Sequence, residues 1–217
     1  MKSFLIIGLG SFGRHLAVKL TELGNEVMVI DKDEEKVDDL SEIVTAAKVG
    51  DCQDEDVLRA LGVGNFDVCF VCVRDDFQTS LEVTSSLKEL GARYVVAHAE
   101  RERQMKFLRI IGADEVIHTE LDMAGRAAVR FSAKGAFEYF ELTPEYAIFE
   151  IAAPAAWVGR TVAQVGVRQQ YNLNIIGCKS GGRVLPLTRP DHLFSRDEHL
   201  IIAGSKKDAL GLMNAQE

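Results

Sequence analysis

The sequence predicts an α/β chain: a doubly wound parallel sheet followed by a small α+β domain. Three observations carry this. Short apolar segments rich in Val and Ile alternate with longer amphipathic stretches over the first 134 residues. All four prolines, Pro144, Pro154, Pro186 and Pro190, lie beyond residue 143. The formal charge also changes, from −7 through Lys134 to −1 from Gly135 onward. At roughly 100–200 residues per domain, 217 residues allow one large domain or two modest ones. The predicted division is 1–134 and 135–217, with no long linker.

Strands are predicted at Ser3–Ile7, Glu26–Ile30, Ala46–Val49, Val68–Val73, Tyr94–Ala97 and Glu115–Ile117. They show little polar alternation, which marks strands covered on both faces. Helices are predicted at Phe12–Leu23, Glu34–Ser41, Asp54–Leu61, Gln78–Leu90 and Arg103–Ile110. Gly24, Gly62 and Gly91 end three of them, and Asp33 and Asp54 stand at N-cap positions. Repeated strand–helix units put a ligand at the carboxyl ends of the strands. The second domain shows short strands at Phe137–Leu142, Ala147–Ile151, Leu173–Cys178, Arg183–Pro186 and His199–Ala203, with one or two short helices between them. Gly181-Gly182 reads as a hairpin turn.

Composition excludes several classes. A net charge of −8, from 25 basic and 33 acidic residues, opposes binding along nucleic-acid backbones. No apolar run approaches the about 18 residues of a membrane helix, so the expected location is the cytoplasm. Cys69-Phe70-Val71-Cys72 is a C-x-x-C, but residues three apart on a strand face opposite ways and cannot share a metal.

Gly8-Leu9-Gly10-Ser11-Phe12-Gly13 matches G-x-G-x-x-G between a strand and a helix. Gly8 permits the turn, Gly10 lets backbone approach a pyrophosphate, and Gly13 lets helix pack on strand. The helix N-terminus then offers free N–H groups to phosphates. Asp31 ends the second strand, 18 residues after Gly13, where an acid accepts from ribose hydroxyls and repels a 2′-phosphate. The fold is therefore Rossmann-like. Asp51, after the third strand, either meets the adenine side or serves as a helix N-terminal acid. The ligand is an adenine nucleotide with an unmodified ribose: ATP, ADP, AMP or NAD(H). The Tyr-x-x-x-Lys pair of short-chain reductases and the P-loop G-x-x-x-x-G-K-[ST] are absent, so the chain reads as a sensor more than a catalyst.

With the glycine loop, Asp31 and the Glu34-Glu35-Lys36-Val37 that follows it, three further segments carry a family resemblance. They are Ile110-Ile111-Gly112-Ala113-Asp114, His118-Thr119-Glu120-Leu121-Asp122-Met123 and Leu200-Ile201-Ile202-Ala203-Gly204. The chain resembles the Ktr/Trk regulatory subunits of bacterial potassium transport, in which an RCK-N domain precedes an RCK-C domain. The resemblance implies a non-enzymatic gating subunit. Homodimers assemble into an octameric ring, which docks on the cytosolic face of a membrane potassium-translocating subunit. It places ATP or ADP, or NAD(H), among the loop residues, Asp31, Lys32, Asp51, Cys52 and Val73, with Arg74, His98 and Glu120 near the phosphates.

Three positions depart from the family pattern. Ser11 stands where an arginine is common, and His98 where a lysine or arginine is common. As a group that titrates near neutrality, His98 becomes a conditional phosphate partner or a partly exposed strand-end histidine. Arg74 replaces a common glycine and either reaches a phosphate or pairs with Asp75 or Asp76. Glu120 resembles an acid near the dimer axis, where Mg²⁺ or Ca²⁺ would relieve repulsion between two copies. Otherwise it is a first-turn helix acid. In some relatives a set like Arg168, Asn174, Ile175, Ile176 and Pro186 cradles cyclic di-AMP, although the two isoleucines also suit a core strand. The alternatives are an NAD-dependent oxidoreductase and an RCK regulator of another transporter.

Overall fold

A computed structural model describes residues 1–74, 76–133, 135–186 and 189–215. Its contacts divide the chain into two compact units, 1–120 and 121–217.

The first unit alternates strand and helix throughout: β1 (Ser3–Ile7), α1 (Ser11–Glu22), β2 (Glu26–Asp31), α2 (Glu34–Ser41), β3 (Ala46–Val49), α3 (Glu55–Leu61), β4 (Val68–Val71), α4 (Phe77–Glu89), β5 (Val95–His98), α5 (Glu102–Ile111) and β6 (Glu115–Ile117). The six strands form one parallel sheet in the order β3-β2-β1-β4-β5-β6. The direction of growth reverses between β1 and β4, so the loops leaving these two strands diverge and open a crevice. Alternate residues feed two cores. Leu5, Ile7, Cys69 and Val71 join one face, and Phe4, Ile6, Val29 and Cys72 the other. The two cysteines thus lie on opposite sides, as the period of a strand requires. Helix starts follow the local chemistry: the Asp33 carboxylate accepts from the Glu35 N–H, and the Asp54 carboxylate from the Asp56 N–H.

The helix α6 (Thr119–Ser132) carries the chain out of the first unit. The sequence predicts no helix span here beyond the alternative of Glu120 as a first-turn acid, and mid-helix Gly125 weakens the local signal. Val129 and Ala133 pack on the second unit's core, and the Arg126 guanidinium lies 4.4 Å over the Phe140 ring. These contacts set the division 14 residues before the one drawn from prolines and charge, which involved Lys134, outside the described residues.

The second unit continues with β7 (Ala136–Glu141), β8 (Tyr146–Ala152), α7 (Val162–Val165), α8 (Val167–Tyr171), β9 (Asn174–Ser180), β10 (Arg183–Pro186), β11 (His199–Ser205) and α9 (Lys206–Asn214). Its five strands form an antiparallel sheet in the order β10-β9-β11-β8-β7. Gly181 and Gly182 turn the β9–β10 hairpin with φ of +55° and +78°. Trp157, Phe149 and Phe194 are the largest buried side chains of the core. Among the described residues, no helix is long and apolar enough to cross a membrane.

Phe149→Ala should cost about 3–5 kcal/mol, the range for deleting a fully buried aromatic ring. Guanidinium unfolding of the full chain, followed by the fluorescence of Trp157 in the same core, measures this. A loss under about 1 kcal/mol would mean that this core is not packed as described.

Candidate functional site

The crevice at the reversal of strand order is an open cleft of about 390 Å³. Gly8 adopts φ +93°, and a Cβ there would sit 3.0 Å from the Cys72 carbonyl carbon. A Cβ on Gly13 would meet the Gly8 carbonyl oxygen at 2.1 Å, so α1 can lie this close to β1 only with glycine. Gly10 differs: no atom lies within 4 Å of where its Cβ would be. It caps α1 without a side-chain hydrogen bond. The first-turn N–H groups of α1 therefore face space that a phosphate can enter.

Asp31 is committed to the loop. Its Oδ2 accepts from the Leu9 N–H at 2.6 Å, and its Oδ1 from the Asp33 N–H at 3.0 Å. Each carboxylate oxygen keeps a second lone pair for a ribose hydroxyl. Asp51 lines the cleft and also accepts from the Gln53 N–H. Burial pushes the Cys52 thiol up to about 12, and the Asp51 and Asp31 charges push the same way. That side chain is therefore a neutral wall.

The cleft brings together Gly8, Gly10, Ser11, Asp31, Lys32, Asp51, Cys52, Val73 and Arg74 of the expected set. Sequence reasoning missed Lys36, Gln53, Asp76, Thr79 and Glu100. Lys36 is one helical turn from Asp33, with which it pairs at 3.3 Å. That spacing was the available signal. Thr79 and Asp76 enter through the start of α4, where the Asp76 carboxylate accepts from the Gln78 and Thr79 N–H groups.

Four expected residues do not line the cleft. Gly13 serves the packing of α1, and Phe12 stacks on the His98 ring at 4.8 Å. His98 is not the partly exposed strand-end residue of the second alternative: it is buried. Its Nε2 lies 2.9 Å from Thr119 Oγ1, whose hydroxyl donates to Glu120 Oε2 at 3.0 Å. That hydroxyl has one proton, so Nε2 donates and Nδ1 is the bare nitrogen, buried without a partner among the described residues. Burial holds the His98 pKa below the ordinary 6.5; Glu120 opposes this and Arg74 adds to it. Glu120 is held by Arg74 instead of lining the cleft.

Arg74 sits at the rim, its Nε 3.0 Å from Glu100 Oε1 and its Nη2 3.0 Å from Glu120 Oε1. Asp76 is occupied as the α4 cap, and Asp75 lies outside the described residues. Hydrogen bonds from its own N–H and from Thr119, then the Arg74 charge, hold the Glu120 carboxyl below the usual range. Among the described residues, no group of three ligating side chains includes Glu120.

The second unit has an open cleft of about 440 Å³ between α7, α8 and β9. Arg168, Asn174 and Ile175 line it, together with Arg189 and Pro190, which the sequence reading missed. Ile176 and Pro186 do not line it. Both are exposed: Ile176 faces away from its neighbour Ile175, since successive residues on a strand face opposite ways, and all of β10, Pro186 included, is exposed.

Residues 4–119 match the TrkA-N domain model, and residues 146–215 the TrkA-C domain model. The Ktr system potassium uptake protein C of Bacillus subtilis (strain 168) is 37% identical over 207 residues, 95% of this chain and 94% of that one. The Ktr system potassium uptake protein A of the same organism is 32% identical, over 95% of this chain and 93% of that one. The crystal structure of the GsuK RCK domain superposes with a TM-score of 0.67 at 20% identity, covering 98% of this chain and 47% of that one. The GsuK channel bound to NAD gives 0.68 at 21%, covering 98% and 39%. At these identities the two structures show a shared fold, and this chain spans less than half of their length.

His98 makes stability pH-dependent. The folded chain keeps the imidazole neutral, while the unfolded chain takes up a proton near 6.5. The contribution is thus full above about 6.5 and is lost as the pH falls through the folded value. Denaturant midpoints measured from pH 7.5 down to about 5 should fall in the wild type and fall less in His98→Phe. Parallel curves would sink this account.

Proposed function

The chain belongs to the family that joins a TrkA-N domain to a TrkA-C domain, and from that premise we propose that it is the nucleotide-responsive regulatory subunit of a bacterial potassium uptake system. The supporting observation is the glycine loop: open at Gly10, closed at Gly8 and Gly13, and tied to Asp31. An adenine nucleotide lies in the first unit's cleft, with its phosphates at the α1 N-terminus and its ribose at Asp31. ATP or ADP is the first choice of ligand, with NAD(H) the alternative. Lys32, Lys36 and Arg74 supply positive charge at the cleft. The chain turns nothing over. The relatives' names point to potassium uptake, and the thiol in the cleft is held protonated.

Copies pair and close into an octameric ring on the cytosolic face of a membrane-embedded potassium-translocating subunit. Exposed apolar side chains suit such pairing: Phe107 and Ile110 on α5, and Leu121, Met123 and Phe131 on α6. A nucleotide acts only through different affinities for two ring states. Arg74 provides the exchange, since a phosphate that takes its guanidinium releases Glu100 and Glu120. Glu120 released at the start of α6 is then open to a divalent cation shared with a second copy.

Calorimetric titration of the full chain with ATP, ADP and NADH, with and without Mg²⁺, tests this. Asp31→Asn should weaken adenine nucleotides by roughly tenfold or more, because hydrogen bonds to charged groups are worth about 1.5–3 kcal/mol. Glu120→Gln should remove any Mg²⁺ effect on affinity. Binding of none of the three nucleotides would reject the reading. Turnover of NADH with a carbonyl substrate would replace it with an oxidoreductase.

A second ligand is favoured by the second unit's cleft, where Arg168 and Arg189 stand beside Ile175. Two guanidinium groups suit two phosphates and an apolar side chain suits adenine, as in cyclic di-AMP. Titration with cyclic di-AMP should give heat that Arg168→Ala abolishes. Absence of heat in the wild type removes this ligand.

A further inference from the structure

The second unit holds three metal-ligating side chains that neither cleft uses. Cys178 lies on β9, Glu198 immediately precedes β11, and His192 lies in the segment between β10 and β11. The register pairs Leu200 with Cys178. Residues two apart share a face of a strand, so Glu198 and Cys178 are diagonal neighbours on one face. The segment carrying His192 is pinned by backbone hydrogen bonds. The Val162 N–H donates to the His192 carbonyl at 3.0 Å, and the Phe194 N–H to the Arg160 carbonyl at 3.0 Å. One ligand atom from each of Cys178, His192 and Glu198 lies within 4.8 Å of the other two.

We propose that Cys178, His192 and Glu198 form a Zn²⁺ site. Zn²⁺ accepts thiolate, imidazole and carboxylate together, at about 2.3, 2.0–2.1 and 2.0–2.2 Å. Two oxygens of Glu198 divide the work. Oε1 accepts from the Ser195 N–H at 2.9 Å, an outer contact that orients the carboxylate. Oε2 lies 3.0 Å from His192 Nε2 and is the oxygen left for the metal. Cys178 and Glu198 are 2% and 4% exposed, whereas the His192 side chain is 28% exposed. Access and a fourth coordination position therefore lie on the histidine side.

Charge favours the assignment. Zn²⁺ with one thiolate and one carboxylate sums to zero, the least costly total for a buried cluster. Without metal, burial first, then the Glu198 charge and its hydrogen bond, keep the Cys178 thiol protonated. Metal binding replaces that thiol proton, releasing it to solvent, while the imidazole coordinates through Nε2 as the neutral ring with its one proton on Nδ1. The bound ion then ties the 189–198 segment to β9.

Cobalt serves as the probe. The chelator-treated full chain, titrated with Co²⁺, should bind one ion and develop a thiolate-to-cobalt charge-transfer band with the intense visible bands of tetrahedral cobalt. Stoichiometric Zn²⁺ should bleach them. Cys178→Ser should remove the charge-transfer band, while Cys52→Ser keeps it. His192→Gln and Glu198→Gln should each weaken Co²⁺ by at least about tenfold. His192 is partly exposed, so His192→Gln stays interpretable if the cysteine variant does not fold. In thermal melts, Zn²⁺ should raise the midpoint of the wild type and leave His192→Gln unmoved. No charge-transfer band in the wild type, or an unchanged band in Cys178→Ser or His192→Gln, overturns the site.

Discussion

The hydrogen bond from the Leu9 N–H to the Asp31 carboxylate, 2.6 Å long, joins the ends of β1 and β2 where the crevice opens. The shape of the first unit's mouth depends on it. The same carboxylate accepts from the Asp33 N–H and so shapes the entry to α2. Removing the acid frees the glycine loop at one end and the α2 approach at the other. The loop also cannot retreat toward the sheet, because Gly13 already leaves no room for a Cβ against the Gly8 carbonyl. The free N–H groups of α1 are held in place by these two constraints together. A ligand need not organise them, which lowers the ordering cost of binding.

What was legible in the sequence was local. The glycine spacing, the acid 18 residues on, and Asp33 and Asp54 as caps each express chemistry within a few residues or one strand–helix unit. The six apolar segments revealed a parallel sheet because strands buried on both faces have no polar alternation. What was not legible depended on distant partners. His98 ends a strand, where a phosphate contact or partial exposure was expected, but Phe12 and Thr119 close over it from 86 positions earlier and 21 later. Arg74 finds Glu100 and Glu120, neither of them adjacent. The α6 helix escaped assignment although its sequence is amphipathic; mid-helix Gly125 lowers the local propensity without breaking the helix. The Cys178, His192 and Glu198 cluster has no sequence spacing that announces it, since β-sheet register and a folded-back segment create it.

The two ion pairs of Arg74 are partly exposed, with side-chain exposures between 33% and 47%. Such pairs contribute about 0–1 kcal/mol each. Exchanging a carboxylate for a phosphate at this guanidinium is therefore nearly neutral in one copy. That is a useful property for a sensor, because a strongly trapped arginine would answer no ligand. It is also a limitation, because one copy carries little energy to any downstream element.

A regulator must nonetheless shift an equilibrium decisively. Moving a two-state system from 1:99 to 99:1 requires about 5.5 kcal/mol of differential binding. A single exchange of exposed ion pairs, at about 0–1 kcal/mol, falls well short. In the proposed octamer, eight equivalent sites acting on one concerted transition would need only about 0.7 kcal/mol each, since the same 5.5 kcal/mol is then shared. That figure lies inside the range of the Arg74 exchange. Weak, reversible chemistry at each nucleotide site and a closed assembly of many copies are thus two sides of one requirement. The half-exposed Arg74 triad suits the proposed gating function only where the assembly, and not the individual subunit, is the switch.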